Sequence, residues 1–218
     1  MPSSPLPRLT LALALLLVLA VRPADAQDTP GAFDYYVLAL SWQPSWCALE
    51  GDDRDAPACA RGTGHGWLLH GLWPQYHRGW PAYCDSARRP PSRAMTRAMA
   101  DIMGSAGLAW HQWKKHGTCS GLPPAEYFAL SRRAYRAVTR PEVLRKLDRP
   151  VRLPAQVIEA AFLKANPDLA RDAVTITCRG GRIHEARICL SRGLSPVPCG
   201  RDVVTDCRLE GALLAPLR

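Results

Sequence analysis

Apolar residues in this chain fall into short runs separated by polar stretches rich in proline and glycine, and the spacing within each run predicts its element. Phe33 to Trp42 (FDYYVLALSW) is dense in aromatic and aliphatic residues and predicts a buried strand. Gly66 to Trp73 (GWLLHGLW) is a second apolar run, which Pro74 is expected to end. Between them, Gln43 to Gly64 mixes prolines, glycines and acids and reads as a surface loop, as does Gln75 to Pro91.

Helical spacing starts at Ser92, the expected cap of a helix running to about Met103, where Gly104 and Gly107 interrupt the pattern. Leu108 to His116 predicts a short helix stopped by Gly117 as a left-handed terminator. Pro123-Pro124 opens a longer helix from Ala125 to about Val138, with Tyr127, Leu130, Ala134 and Val138 as its apolar stripe. Pro154 to Asn166 predicts another, ended by Asn166-Pro167. Val174 to Cys178 and Ile183 to Leu190 alternate around Gly180-Gly181, a hairpin signal. The tail from Ser191 reads as loop. No repeat or low-complexity linker divides the chain, and one α+β domain fits this order of elements.

The first residues stand apart from that domain. Arg8 precedes an unbroken apolar run from Leu9 to Val21, and Ala24-Asp25-Ala26 places small residues where a signal peptidase reads. The run is too short to span a bilayer, so residues 1–26 are expected to be a cleaved secretory signal and residues 27–218 the mature domain. The mature chain is expected to be periplasmic or extracellular, monomeric and without a membrane anchor. All eight cysteines lie beyond the signal. An even count in an exported chain predicts four disulfides; zinc is the rival, but the cysteines are scattered and form no pair of C-x-x-C knuckles. The net charge of +9 attracts polyanions, which fits a nucleic-acid partner as well as a merely basic surface.

Chemistry concentrates in two segments, Leu69-His70-Gly71-Leu72-Trp73-Pro74 and His111-Gln112-Trp113-Lys114-Lys115-His116-Gly117-Thr118-Cys119. On a helix, Gln112 lies beside His116 and His111 beside Lys115. His111 and His116 are five apart, about 140° around the axis, which disfavours the i, i+4 geometry of a zinc-binding helix. Lys115 and His116 could serve only as cations at a helix C-terminus. A lone strand histidine such as His70 is commonly a hydrogen-bonded core residue, and Gly71 beside it marks either a bulge or a close approach. Neither segment decides the question alone.

Together the two segments resemble the signatures of the ribonuclease T2 family, an apolar-HGLWP stretch and an H-E-W-x-K-H-G-x-C stretch. The opening YVLALSWQPSWC and the later Arg187-Ile188-Cys189-Leu190 resemble the family's core strands. The resemblance implies an α+β fold with a central antiparallel sheet, helices packed on one side and disulfide-stapled loops. It implies cleavage of single-stranded RNA with low base preference and no metal or other cofactor. His70 and His116 then correspond to the catalytic histidines, with His116 the general base and His70 the general acid. Lys115 and His111 would hold the phosphate, Trp73 and Trp80, the latter before Pro81, would meet a base, and Gln75 stands where some relatives carry an acid favouring adenine. Trp67 and Trp113 are expected in the core, and Lys114 to face elsewhere.

The chain departs from the pattern at Gln112, where the family usually has glutamate. An amide can orient a neighbouring imidazole but adds no charge, so activity is expected to be retained, weakened and shifted toward lower pH. For the disulfides, the resemblance implies Cys84–Cys119. Cys47–Cys59 is expected as a local staple, with Cys178–Cys207 enclosing Cys189–Cys199 and Cys178–Cys189 as the alternative. Two other functions compete: a secreted RNA- or polyanion-binding relative without turnover, and a metal-dependent nuclease. The latter would need carboxylates, and neither motif has an acidic neighbour.

Overall fold

The computed structural model describes residues 28–218; the expected signal at residues 1–26 lies outside them. Strand β1 (Tyr35–Trp42) is buried along its whole length because it is central, paired antiparallel with β2 (Trp67–Gln75) on one side and β5 (Arg182–Leu190) on the other. Strand β4 (Val174–Arg179) pairs antiparallel with β5 through the Gly180-Gly181 turn, where both glycines take positive φ (55° and 73°). Two three-residue strands, β3 (Val151–Leu153) and β6 (Ala212–Leu214), complete the sheet; β6 meets β5 through one parallel pairing, Arg182 with Leu213. These short strands offered too few residues for alternation to show, so Val151–Leu153 passed without an assignment and Ala212–Leu214 read as loop.

Alternation along β1 divides the molecule. Tyr36, Leu38, Leu40 and Trp42 enter the main core with Trp67, Leu69 and Leu72 of β2 and the buried stripes of the helices. Tyr35 and Val37 face the other side, with Cys189, Val203 and the partly buried Trp73. That second face carries the candidate site.

The helices follow the sequence with instructive differences. Gln43–Gly64 is not open loop: it holds α1 (Gln43–Trp46), led by Pro44, a wider π-helical turn over Cys47–Gly51, and tight 3-10 turns over Asp52–Arg54 and Pro57–Cys59. The Ser92 segment splits into α2 (Arg93–Arg97) and α3 (Ala100–Met103), and the Ser92 hydroxyl accepts from Met95 N–H as its cap. Helix α4 (Ala106–Lys115) starts earlier than its periodicity indicates, because Ser105 caps it and Gly107 is tolerated inside its first turn. Helices α5 (Pro124–Ala137) and α6 (Ala155–Ala165) lie where the spacing placed them. Strand β2 runs through Pro74 rather than ending there. It is an edge strand, so the missing N–H costs no ladder bond.

The four disulfides are Cys47–Cys59, Cys84–Cys119, Cys178–Cys207 and Cys189–Cys199, the nested arrangement rather than a bridge across the hairpin. Among the described residues no helix is long and apolar enough to cross a membrane.

Candidate active site

A one-residue irregularity in the sheet positions His70. Ala39 of β1 pairs with Gly71 and the next residue, Leu40, pairs with Leu69, so His70 is the extra residue of a bulge in β2. A bulge re-aims the side chain it carries, here away from the core that receives Leu69 and Leu72. His116 comes from the C-terminal end of α4, which packs against β2. Its backbone leaves the helix there (φ −121°), and the chain continues into a tight turn over Gly117–Ser120.

Gly117 is not the left-handed terminator. Its φ is not positive; the left-handed glycine is Gly121, which closes the turn. Gly117 is needed for space instead, since a Cβ there would stand 2.4 Å from Trp113 Cε3 and 3.0 Å from the Tyr127 ring. Cys119 in the same turn is bridged to Cys84, and Tyr83 N–H donates to Lys115 C=O at 2.8 Å, tying the loop after β2 to the end of α4.

The two histidines line one cleft of about 400 Å³, together with Val37, Trp73, Gln75, Trp80, His111, Gln112, Lys115, Arg187, Asp202 and Val203. Trp73 connects them. Its ring meets His70 edge-on at 5.3 Å between centroids and stacks on His116 at 5.2 Å. Arg187 lies over the same indole at 5.5 Å. The indole Nε1–H donates to Gln112 Oε1 at 2.7 Å, so the Gln112 amide is bonded to Trp73 and not, as its helical position suggested, to the His116 ring. Gly71 makes this approach possible: a Cβ there would fall 2.1 Å from Gln112 Oε1 and 2.3 Å from Trp73 Nε1.

The two imidazoles sit in opposite electrostatic settings. His116 is 4% exposed, its Nδ1 has no partner among the described residues, and burial with the charges of Lys115, His70 and His111 pushes its pKa down to about 3. His70 instead has its Nδ1 2.5 Å from Glu185 Oε1. Burial alone would raise the Glu185 carboxyl, but the His70 hydrogen bond and the charges of His70, Arg187 and His184 hold it well below the usual carboxylate range. Partial burial and the nearby Lys115 charge also lower His111.

Glu185 and Arg187 were missed in the sequence. The available signal was a glutamate and an arginine at alternate positions of RIHEARICL, which places both on one face of the strand. Trp80, 54% exposed, stands at the rim on a loop hung from three carboxylates: Asp28 accepts from Ala82 N–H, Asp34 from His77 N–H and Asp202 from Gly79 N–H. Gln75 is buried in the cleft wall with no side-chain hydrogen bond among the described residues. Lys114 is exposed outside the cleft, while Trp67 and Trp113 are core. Among the described residues no group of three or more His, Cys, Asp or Glu side chains is placed to hold a metal ion.

An antiparallel sheet carrying one imidazole on a bulge, and a helix end carrying another, define an α+β protein with two histidines facing one cleft. Comparison with known proteins gives it a family. Residues 33–199 match the Ribonuclease T2 family, and the chain belongs to it. A ribonuclease of Aeromonas hydrophila is 46% identical over 107 residues, 49% of this chain and 47% of that protein. Ribonuclease I of Escherichia coli is 26% identical over 202 residues, 74% of this chain and 75% of that one. The chain spans about half the length of the first curated relatives it matches. The fold is shared with an RNase-related protein from Calystegia sepium (TM-score 0.63, 20% identity, 85% of this chain and 97% of the other). It is shared also with RNase NT in complex with 5'-AMP (TM-score 0.58, 19% identity, 85% and 99%).

Proposed function

We propose that the chain is an exported endoribonuclease that cleaves single-stranded RNA without a metal ion. The observation that carries this reading is the pairing of two imidazoles against Trp73, one proton-poor and one backed by a carboxylate. Neutral His116 takes the proton of the ribose 2'-hydroxyl as the 2'-oxygen attacks phosphorus. His70 gives a proton to the departing 5'-oxygen, leaving a 2',3'-cyclic phosphate. Water then opens that ring to a 3'-phosphate, with the two histidines exchanging roles.

Lys115 and His111 supply positive charge where the pentacovalent phosphorane gathers negative charge. Trp80 at the rim and the Trp73 wall offer aromatic surface to a base, which any base can use, hence low base preference. Gln75 offers an amide in place of a carboxylate. Four disulfides and a net charge of +9 support a chain that works in the periplasm or outside the cell, as a monomer.

The test is release of 2',3'-cyclic product from a dinucleoside phosphate in EDTA. His70→Ala and His116→Ala are each expected to remove turnover by about 10²-fold or more while RNA is still bound. Turnover by either variant at the parent rate would refute the assigned roles, and loss of activity in EDTA would refute metal independence.

A further inference from the structure

Glu185 is a buried carboxylate that the proton transfers above do not use. It is 2% exposed and lies opposite Ser41 on β1, two residues from Arg187, which lies opposite Ala39 on the same sheet face. Both of its oxygens are engaged. Oε1 meets His70 Nδ1, and Oε2 accepts from Arg187 Nε at 3.1 Å and from its terminal nitrogen at 2.9 Å. The guanidinium holds one carboxylate oxygen and the imidazole meets the other, so the two contacts together fix the carboxylate plane, and Nε2 is the ring nitrogen left free of that bond.

We propose that Glu185, locked by Arg187, is the positioning residue for the general acid His70, holding its proton on the nitrogen that serves the leaving oxygen. This rests on the ribonuclease reading of the cleft. Asp202 also lines the cleft, where its carboxylate accepts from Gly79 N–H; the remaining charged groups around His70 are cationic or become so: His184 and Arg187 on β5, His111 and Lys115 on α4, and His116 at its end. Among these cations Glu185 places a negative charge directly behind the His70 ring. Glu185 is the one acidic side chain bonded to the ring among the described residues. A mere structural ion pair would require Arg187 alone; the second oxygen on the imidazole is what ties Glu185 to the chemistry.

The experiment exploits the leaving group. A dinucleoside phosphate expels a 5'-alkoxide, which needs a proton, whereas a uridine 3'-(4-nitrophenyl phosphate) expels a phenolate, which does not. Glu185→Gln is expected to lower kcat on the dinucleotide about 10–100-fold with little change in KM, and to lower turnover of the aryl ester by less than about threefold. The basic limb of the dinucleotide pH profile should also move to lower pH, because the negative charge that favours a cationic partner is removed. Arg187→Gln, which leaves the carboxylate in place but unlocks it, should show the same substrate dependence with a smaller loss, and carries the test should Glu185→Gln not fold. Equal losses on both substrates by a folded variant would overturn the inference while leaving the ribonuclease reading intact. A parent chain inactive on both substrates would overturn that reading and this inference with it.

Discussion

Gln112 and Trp73 are joined by a 2.7 Å hydrogen bond from the indole Nε1–H to the amide oxygen, and that bond ties the end of α4 to the strand bearing His70. Trp73 is thereby fixed between the two imidazoles, and the residue that departs from the family pattern bears on both through it. The indole N–H would suit a carboxylate oxygen equally well, so the difference between Gln and Glu at this position is charge rather than fit.

Gln112→Glu should therefore move the acidic limb of the pH–rate profile upward. His116 must be neutral to accept the 2'-hydroxyl proton, so activity falls as pH drops through its pKa, which burial and the Lys115 charge now hold low. A carboxylate within one helical turn favours the protonated ring and should raise that limb by about one pH unit or more. The check is kcat/KM for a dinucleoside phosphate from pH 3 to 8; an unmoved acidic limb would contradict it.

Gly71→Ala tests the same bond from the other side. Its Cβ would occupy the space of Gln112 Oε1 and Trp73 Nε1, so one of the two must leave. Overpacking of this kind costs about 1–3 kcal/mol, seen as a lowered Tm, and displacement of Trp73 should reduce turnover about tenfold or more. Unchanged Tm and turnover together would show that the approach is looser than the geometry requires.

Much of this site was legible from residue order. The HGLWP and HQWKKHGTC segments carried both histidines, the lysine and the tryptophan, because their chemistry is local to each segment. What could not be read was set by pairing between strands. The bulge that turns His70 outward exists only in the register of β2 against β1, and Glu185 reaches His70 across β1, which pairs with both their strands. Gly117 shows the same limit: its position after a helix suggested a left-handed cap, while packing against Trp113 and Tyr127 is what demands glycine. Spacing along the chain records periodicity, but a contact made across the sheet leaves only a faint mark in it.

Trp80→Ala separates substrate contact from stability. The ring is 54% exposed at the cleft rim, so its removal should leave Tm nearly unchanged. If it stacks on a base, KM for a dinucleotide should rise about 10-fold, within the 1–3 kcal/mol such stacking contributes, with kcat little affected. Unchanged KM would remove Trp80 from the binding surface.

Burial of His116 also makes stability depend on pH in a direction that can be checked. Its folded pKa of about 3 lies below the ordinary value of 6.5, so between these values the unfolded chain binds the extra proton and the folded chain does not. Stability is then full above about pH 6.5 and declines as pH falls toward 3, by about 2 kcal/mol at pH 5 from this group alone. The lowered carboxyl of Glu185 acts in the same direction at lower pH, where its salt bridge is lost on protonation. His116→Gln removes the first contribution and leaves the second. Urea unfolding at pH 7 and pH 5 should therefore show the parent chain losing about 2 kcal/mol more than the variant. Equal losses would mean that His116 is protonated in the folded protein at pH 5, and the neutral-base role assigned to it would fail with that result.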